Sequence, residues 1–101
     1  LWPVPLIKDR KFAMDEAVMQ EYQTTRSSWT TLDAVESAMH QRFGELKAFL
    51  QTVPESEWNA SIDLPWGPMT VLDAAALPSW NLTYHTGQVN YVQTLYGDKD
   101  M

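Results

Sequence analysis

The chain has 101 residues, of which 45% are apolar, with a net charge of −6 and no cysteine. These values indicate one globular domain or part of one, and they exclude disulfides, thiolate metal sites and cysteine nucleophiles. The seven basic residues are scattered, so we expect no nucleic-acid partner. Because no apolar run approaches the ~20 residues of a membrane span and no signal segment is evident, we expect no membrane partner and a cytoplasmic location.

Residues 1–29 are predicted to form an arm of extended and weakly helical structure. The two prolines in the segment from Leu1 to Pro5 favour an extended backbone. The segment from Ala13 to Thr25 has helical composition, and its apolar residues recur every four positions. We expect a short helix there.

A long amphipathic helix is predicted from Leu32 to Val53, because apolar residues recur along it at spacings of three and four. Thr30 is expected to cap this helix, with Asp33 at its positive N-terminal end. Glu36 and His40 are four residues apart, so we expect them to form a surface pair.

A short turn, a connector and a second long helix follow. One helical turn is predicted from Pro54 to Trp58, and residues 59–68 are predicted to be a connector. The last helix is expected to begin at Thr70, which Asp73 supports as a capping residue, and to end near Gly97. Pro78 falls inside this helix and predicts a kink.

A group of polar residues interrupts the apolar stripe of the last helix. Asn81, His85 and Gln88 are spaced i, i+4 and i+7, so they share one helix face, which we predict to be the buried side. A buried polar group costs roughly 1–3 kcal/mol unless it is paired. Three interpretations stay open: a metal site, a small-molecule pocket that Tyr84 also lines, and a hydrogen-bonded network that fixes packing.

The pattern as a whole predicts an all-α fold. Two long amphipathic helices cannot cover each other's wide apolar faces, which are usually closed in a bundle of about four helices. We expect a partial bundle that a second copy completes as a symmetric homodimer. Additional chain that completes the bundle is the alternative.

The sequence from Tyr84 to Gln88, followed by an apolar helix end and Gly97-Asp98, resembles the last helix of the DinB-like superfamily. The order of the preceding elements is similar too. The resemblance covers residues 30–98, the C-terminal half of that fold, and leaves residues 99–101 as a tail. It implies a four-helix bundle, often dimeric, that holds a divalent metal such as nickel or zinc with three histidines.

The resemblance also assigns candidate ligands. The second histidine of the family's last-helix pair corresponds to His85. The first corresponds to Asn81, whose amide oxygen is a poor ligand for metals that prefer imidazole. His40 is the remaining histidine, and it lies off the apolar stripe of its helix.

Three functions follow from these observations. The first is a DinB-like protein of unassigned activity, with a truncated chain or a degenerate metal site. The second is a metal-dependent enzyme similar to the thiol transferases of that superfamily, with its site completed by missing chain or by a dimer partner. The third is a non-catalytic helical module for dimerisation or binding.

Overall fold

The computed structural model describes residues 2–12 and 14–99 and is mostly helical, as predicted. The described residues also contain a small two-stranded sheet. In chain order the elements are α1 (Pro3–Asp9), α2 (Glu16–Ser27), α3 (Leu32–Leu50), a 3₁₀ turn (Glu55–Glu57), β1 (Ser61–Leu64), β2 (Gly67–Thr70) and α4 (Val71–Leu95).

The first described residues form helix α1, so the prediction of an extended backbone there is wrong. Pro3 occupies the first helical position, where its missing N–H is not needed and its fixed φ suits the helix. Leu6 and Ile7 of this helix are buried. The two prolines therefore mark a helix start and not an extended arm.

Helix α2 lies within one turn of its predicted place. Asp15 caps it by accepting a hydrogen bond from the Val18 N–H at 2.9 Å. The predicted first residue, Ala13, lies outside the described residues. No described residue of α2 is buried, so this helix adds little to the core.

Helix α3 is the predicted long helix with adjusted ends. Its cap is Thr31 and not Thr30, because the Thr31 hydroxyl accepts from the Ala34 N–H at 3.2 Å. The helix ends at Leu50, three residues before the predicted end. The predicted surface pair is confirmed: His40 Nε2 lies 3.7 Å from Glu36 Oε1, and both side chains are exposed.

A β-hairpin replaces most of the predicted connector. β1 and β2 are antiparallel, with Ile62 opposite Met69 and Leu64 opposite Gly67. Ile62 and Leu64 point into the core, whereas Asp63 between them is exposed. The predicted helical turn before the hairpin is confirmed over Glu55–Glu57.

Helix α4 is a single helix that starts and stops where the sequence predicts. The Thr70 hydroxyl accepts from the Asp73 N–H at 3.1 Å, while the Asp73 carboxylate accepts from the Thr70 N–H at 3.2 Å. At the other end the N–H groups of Gly97 and Asp98 donate back to Thr94 and Gln93. This pattern is a Schellman motif, and Gly97 has the positive φ of 93° that it requires.

The core lies at one end of the molecule, where the hairpin, α1, the end of α3 and the start of α4 meet. Its buried cluster consists of Leu6, Ile7, Ile62, Leu64, Val71 and Ala74. The rest of α4 extends beyond this core. Among the described helices, none combines the length and the apolarity needed to cross a membrane.

Candidate functional site

The polar residues of α4 lie on a part of the helix that the core does not reach. Ala74 is fully buried, but every described residue from Ser79 onward is exposed. The single chain therefore exposes Asn81, His85 and Gln88. The prediction that these residues lie on a buried side is wrong for the single chain. The cause is the small core, since α1 and the hairpin cover only the first turns of α4.

His85 and Gln88 form a defined pair on this exposed face. His85 Nδ1 lies 2.7 Å from Gln88 Oε1. An amide oxygen can only accept a hydrogen bond, so Nδ1 carries the hydrogen. In the neutral form of the ring with its hydrogen on Nδ1, the lone pair of His85 Nε2 can accept a hydrogen bond or ligate a metal.

Aromatic side chains extend this pair along the helix. The Tyr84 ring makes an edge contact with the His85 ring, with centroids 5.4 Å apart. On its other side Tyr84 stacks on Trp80 at 5.9 Å with an interplanar angle of 18°. The result is a continuous row of side chains from Trp80 to Gln88.

A shallow groove begins at His85. It has a volume of about 280 Å³ and is lined by His85, Gln88, Val89, Val92 and Gln93. Two of the four predicted pocket-lining residues, His85 and Gln88, therefore line this groove. The other two, Asn81 and Tyr84, precede it on the same helix.

Helix α3 carries a second groove that sequence reasoning did not single out. It has a volume of about 370 Å³ and is lined by Phe43, Leu46, Lys47, Leu50 and Gln51. Its residues have the same spacing as those of the α4 groove: i, i+3, i+4, i+7 and i+8. Four residues at i, i+3, i+4 and i+7 form the hole that receives one side chain of a facing helix. Both grooves thus have the form of helix-packing surfaces.

The α4 site contains no Asp, Glu, Lys or Arg. The helix carries none of these four residue types between Asp73 and its end at Leu95. Asp73 is occupied at the helix start, where the hydrogen bonds from the Thr70 side chain and backbone lower the pKa of its carboxyl group. The site therefore holds no carboxylate suited to acid–base chemistry.

The residues of one chain do not fit the three-histidine metal site that the resemblance implies. The described residues contain no group of three His, Cys, Asp or Glu side chains that could hold a metal ion. His40 lies on α3 beside Glu36, and Asn81 offers only an amide oxygen. Even catalytic zinc sites use three protein ligands, so His85 would need ligands from another chain.

The chain exposes more surface than its mass requires. Its accessible surface is 7,963 Å², whereas a folded monomer of 11.6 kDa is expected to expose about 5,800 Å². Its radius of gyration is 16.3 Å, against about 12.7 Å for a compact domain of this length. Among the described residues, α2 has no buried residue, α3 has one, and α4 has none from Ser79 onward.

Comparison with protein-family models, with curated proteins and with solved structures finds no match to this chain.

Proposed function

We propose that this chain is a helical self-association module in which the exposed faces of α3 and α4 close a bundle with a second copy. The observation that carries the proposal is the excess surface of about 2,000 Å² relative to a compact monomer of the same mass. Stable homodimers bury about 2,000–5,000 Å² in total, or half of that on each copy. The excess of about 2,000 Å² on one copy lies within the range of about 1,000–2,500 Å² that each copy of such a dimer buries.

The exposed surface is apolar where a helix partner would pack. On α4, Val92 is 48% exposed and Leu95 is 67% exposed. On α3, Val35, Met39 and Phe43 are exposed along one stripe. Monomeric proteins rarely leave large contiguous apolar patches in water, and such patches mark interaction sites.

The two grooves support a helical partner in particular. Each has the residue spacing of a hole that receives a side chain of a facing helix. Two copies of α3 and α4 provide four long helices, the number that closes a bundle. We further propose a DinB-like helical bundle of unassigned activity, and the Tyr84–Gln88 sequence is the support for the family.

The mass of the protein in solution tests the proposal. We expect light scattering or sedimentation equilibrium to give twice the chain mass of 11.6 kDa. Val92→Glu, which places a charge on the apolar face, should raise the dimer dissociation constant by roughly 100-fold or more. Thr83→Glu is the matched control, because Thr83 is exposed on the opposite face of α4. A wild-type mass equal to one chain would overturn the proposal.

A second candidate function is a metal-dependent enzyme, similar to thiol transferases, whose site is completed by a second chain. The hydrogen bond from His85 Nδ1 to Gln88 favours it, because metal-binding histidines usually donate their other ring N–H to an acceptor in this way. Two copies would supply two such imidazoles. Asn81 would add an amide oxygen from each copy.

Metal analysis of the purified dimer tests this second candidate. After loading with zinc or nickel and dialysis, we expect a stoichiometric metal in the wild-type protein and its loss in His85→Ala. His40→Ala is the matched control, because His40 is an exposed histidine on α3. Equal metal content in the wild type and His85→Ala would reject the candidate.

A further inference from the structure

We infer, on the basis of the proposed self-association, that the two copies meet through α4 in antiparallel orientation, with the twofold axis beside Gln88. The contact uses the segment of α4 from Ser79 to Leu95. Charge, position and hydrogen bonding on this segment each contribute to the inference.

The charge pattern selects α4 as the helix at the axis. In a twofold-symmetric contact, a residue near the axis faces its own counterpart, so a charged residue there faces a like charge. The chain has a net charge of −6, yet α4 has no Asp, Glu, Lys or Arg from Ala74 to Leu95, and its one titratable side chain there apart from tyrosine is His85. Helix α3, by contrast, carries Glu36 and Glu45 beside its stripe. A contact through α4 therefore avoids like-charge repulsion.

The position of the core selects the register. The core covers α4 only through its first turns, and the exposed part of this helix, from Ser79 to Leu95, has its midpoint at Gly87, next to Gln88 of the stripe. This segment is about 26 Å long at 1.5 Å per residue. An antiparallel contact about its midpoint covers the whole exposed stripe, and each α4 then ends beside the core of the other copy. Any shift of the register leaves part of the apolar stripe uncovered.

The hydrogen bond between His85 and Gln88 suits this axis. The Gln88 amide oxygen accepts one hydrogen bond from His85 Nδ1 and has a second lone pair. Across a twofold axis, the Gln88 amide N–H of each copy can donate to the amide oxygen of the other. A polar pair of this kind within an apolar helix contact fixes register and orientation.

Cysteine cross-linking tests the inference directly, because the chain has no cysteine of its own. In Gln88→Cys the two thiols flank the axis, so oxidation should produce a disulfide-linked dimer. Thr83→Cys and Asn90→Cys are matched controls on the opposite face of α4. We expect cross-linking of Gln88→Cys to be at least about tenfold faster than that of either control, since a disulfide requires Cα atoms within about 7 Å.

A mixed experiment tests the orientation and does not alter Gln88. Residues 81 and 95 are equidistant from residue 88 on the same face, so an antiparallel contact brings them together between copies. A mixture of Asn81→Cys and Leu95→Cys chains should therefore cross-link to each other faster than either variant does alone. Faster cross-linking of each variant with itself would indicate a parallel contact and overturn the inference.

The failure of this inference can be distinguished from the failure of self-association. A wild-type mass equal to one chain overturns both. A dimeric mass, with Gln88→Cys cross-linking no faster than Thr83→Cys and no mixed product from positions 81 and 95, overturns the α4 contact alone. In that case the dimer uses another face, and the groove on α3 becomes the surface to test.

Discussion

At the scale of single residues, the best-defined interaction on α4 is the capping box at its start. The Thr70 hydroxyl and the Asp73 carboxylate each accept a hydrogen bond from the other's backbone N–H, and the Thr70 hydroxyl also donates to the carboxylate at 2.7 Å. These bonds favour the charged carboxylate, so the pKa of Asp73 is lowered from its ordinary value of 3.8. They fix the first turn of α4 beside the core residue Val71.

We expect Thr70→Ala to lower the free energy of unfolding by about 1 kcal/mol at pH 7. Because the folded-state pKa of Asp73 is lowered, its contribution is present above pH 3.8 and is lost as the pH falls through the folded-state pKa. The difference between wild type and Thr70→Ala should therefore shrink between pH 7 and pH 3, as measured by urea unfolding.

Thr31→Ala is the matched control for the pH effect. Thr31 caps α3 through the Ala34 N–H alone, and this bond does not involve a carboxylate. Its substitution should cost a similar free energy that changes much less with pH. Equal pH dependence for both variants would contradict the role assigned to Asp73.

Residue-level features were predictable from sequence only when both partners lie close together in the chain. The α4 cap and the Glu36–His40 pair are of this kind, whereas the α3 cap was assigned to Thr30 and is Thr31, since either threonine can cap a helix. The ion pair between Arg10 and Glu57 joins residues far apart in the sequence. The spacing of neighbouring residues along the chain cannot predict an ion pair between such distant residues.

At the scale of elements, long helices were predictable and short elements were not. Apolar periodicity over many residues placed α3 and α4 within a few residues of their observed ends. The hairpin strands have four residues each, too few to establish an alternating pattern, and Pro68 argues against a strand. Helix α1 was missed because proline near a helix start and proline in an extended segment look alike.

Two glycine substitutions should have opposite effects on stability. Gly67 closes the hairpin with a φ of 128°, so Gly67→Ala should lower the free energy of unfolding by about 1–3 kcal/mol. Gly44 lies inside α3 with ordinary helical backbone and open space around it, so Gly44→Ala should raise it by about 0.5–1 kcal/mol. Urea unfolding measures both, and a destabilised Gly44→Ala would contradict the open space assigned to that position.

At the scale of the whole molecule, the face pattern of a helix shows which side is apolar but not what covers it. The predicted stripe of α4 runs from Ala74 to Leu95 and is interrupted by Asn81, His85 and Gln88. Its first part is buried by α1 and the hairpin, whereas its later part, including His85, extends past them. The extent of the core depends on contacts between distant segments, so the exposure of the candidate site could not be predicted from the helix alone.

The proposed dimer makes thermal stability depend on protein concentration. If two copies bind each other and the unfolded chains do not, mass action raises the melting temperature as the concentration increases. Ile62 is fully buried in the core, so Ile62→Ala should cost about 2–5 kcal/mol and lower the melting temperature at every concentration. Val92→Ala removes apolar surface that only the second copy would cover, so it should reduce the rise with concentration and have little effect in dilute solution. Calorimetry over a hundredfold range of concentration separates the two effects. A wild-type melting temperature that does not change over this range would contradict a folded dimer that dissociates on unfolding.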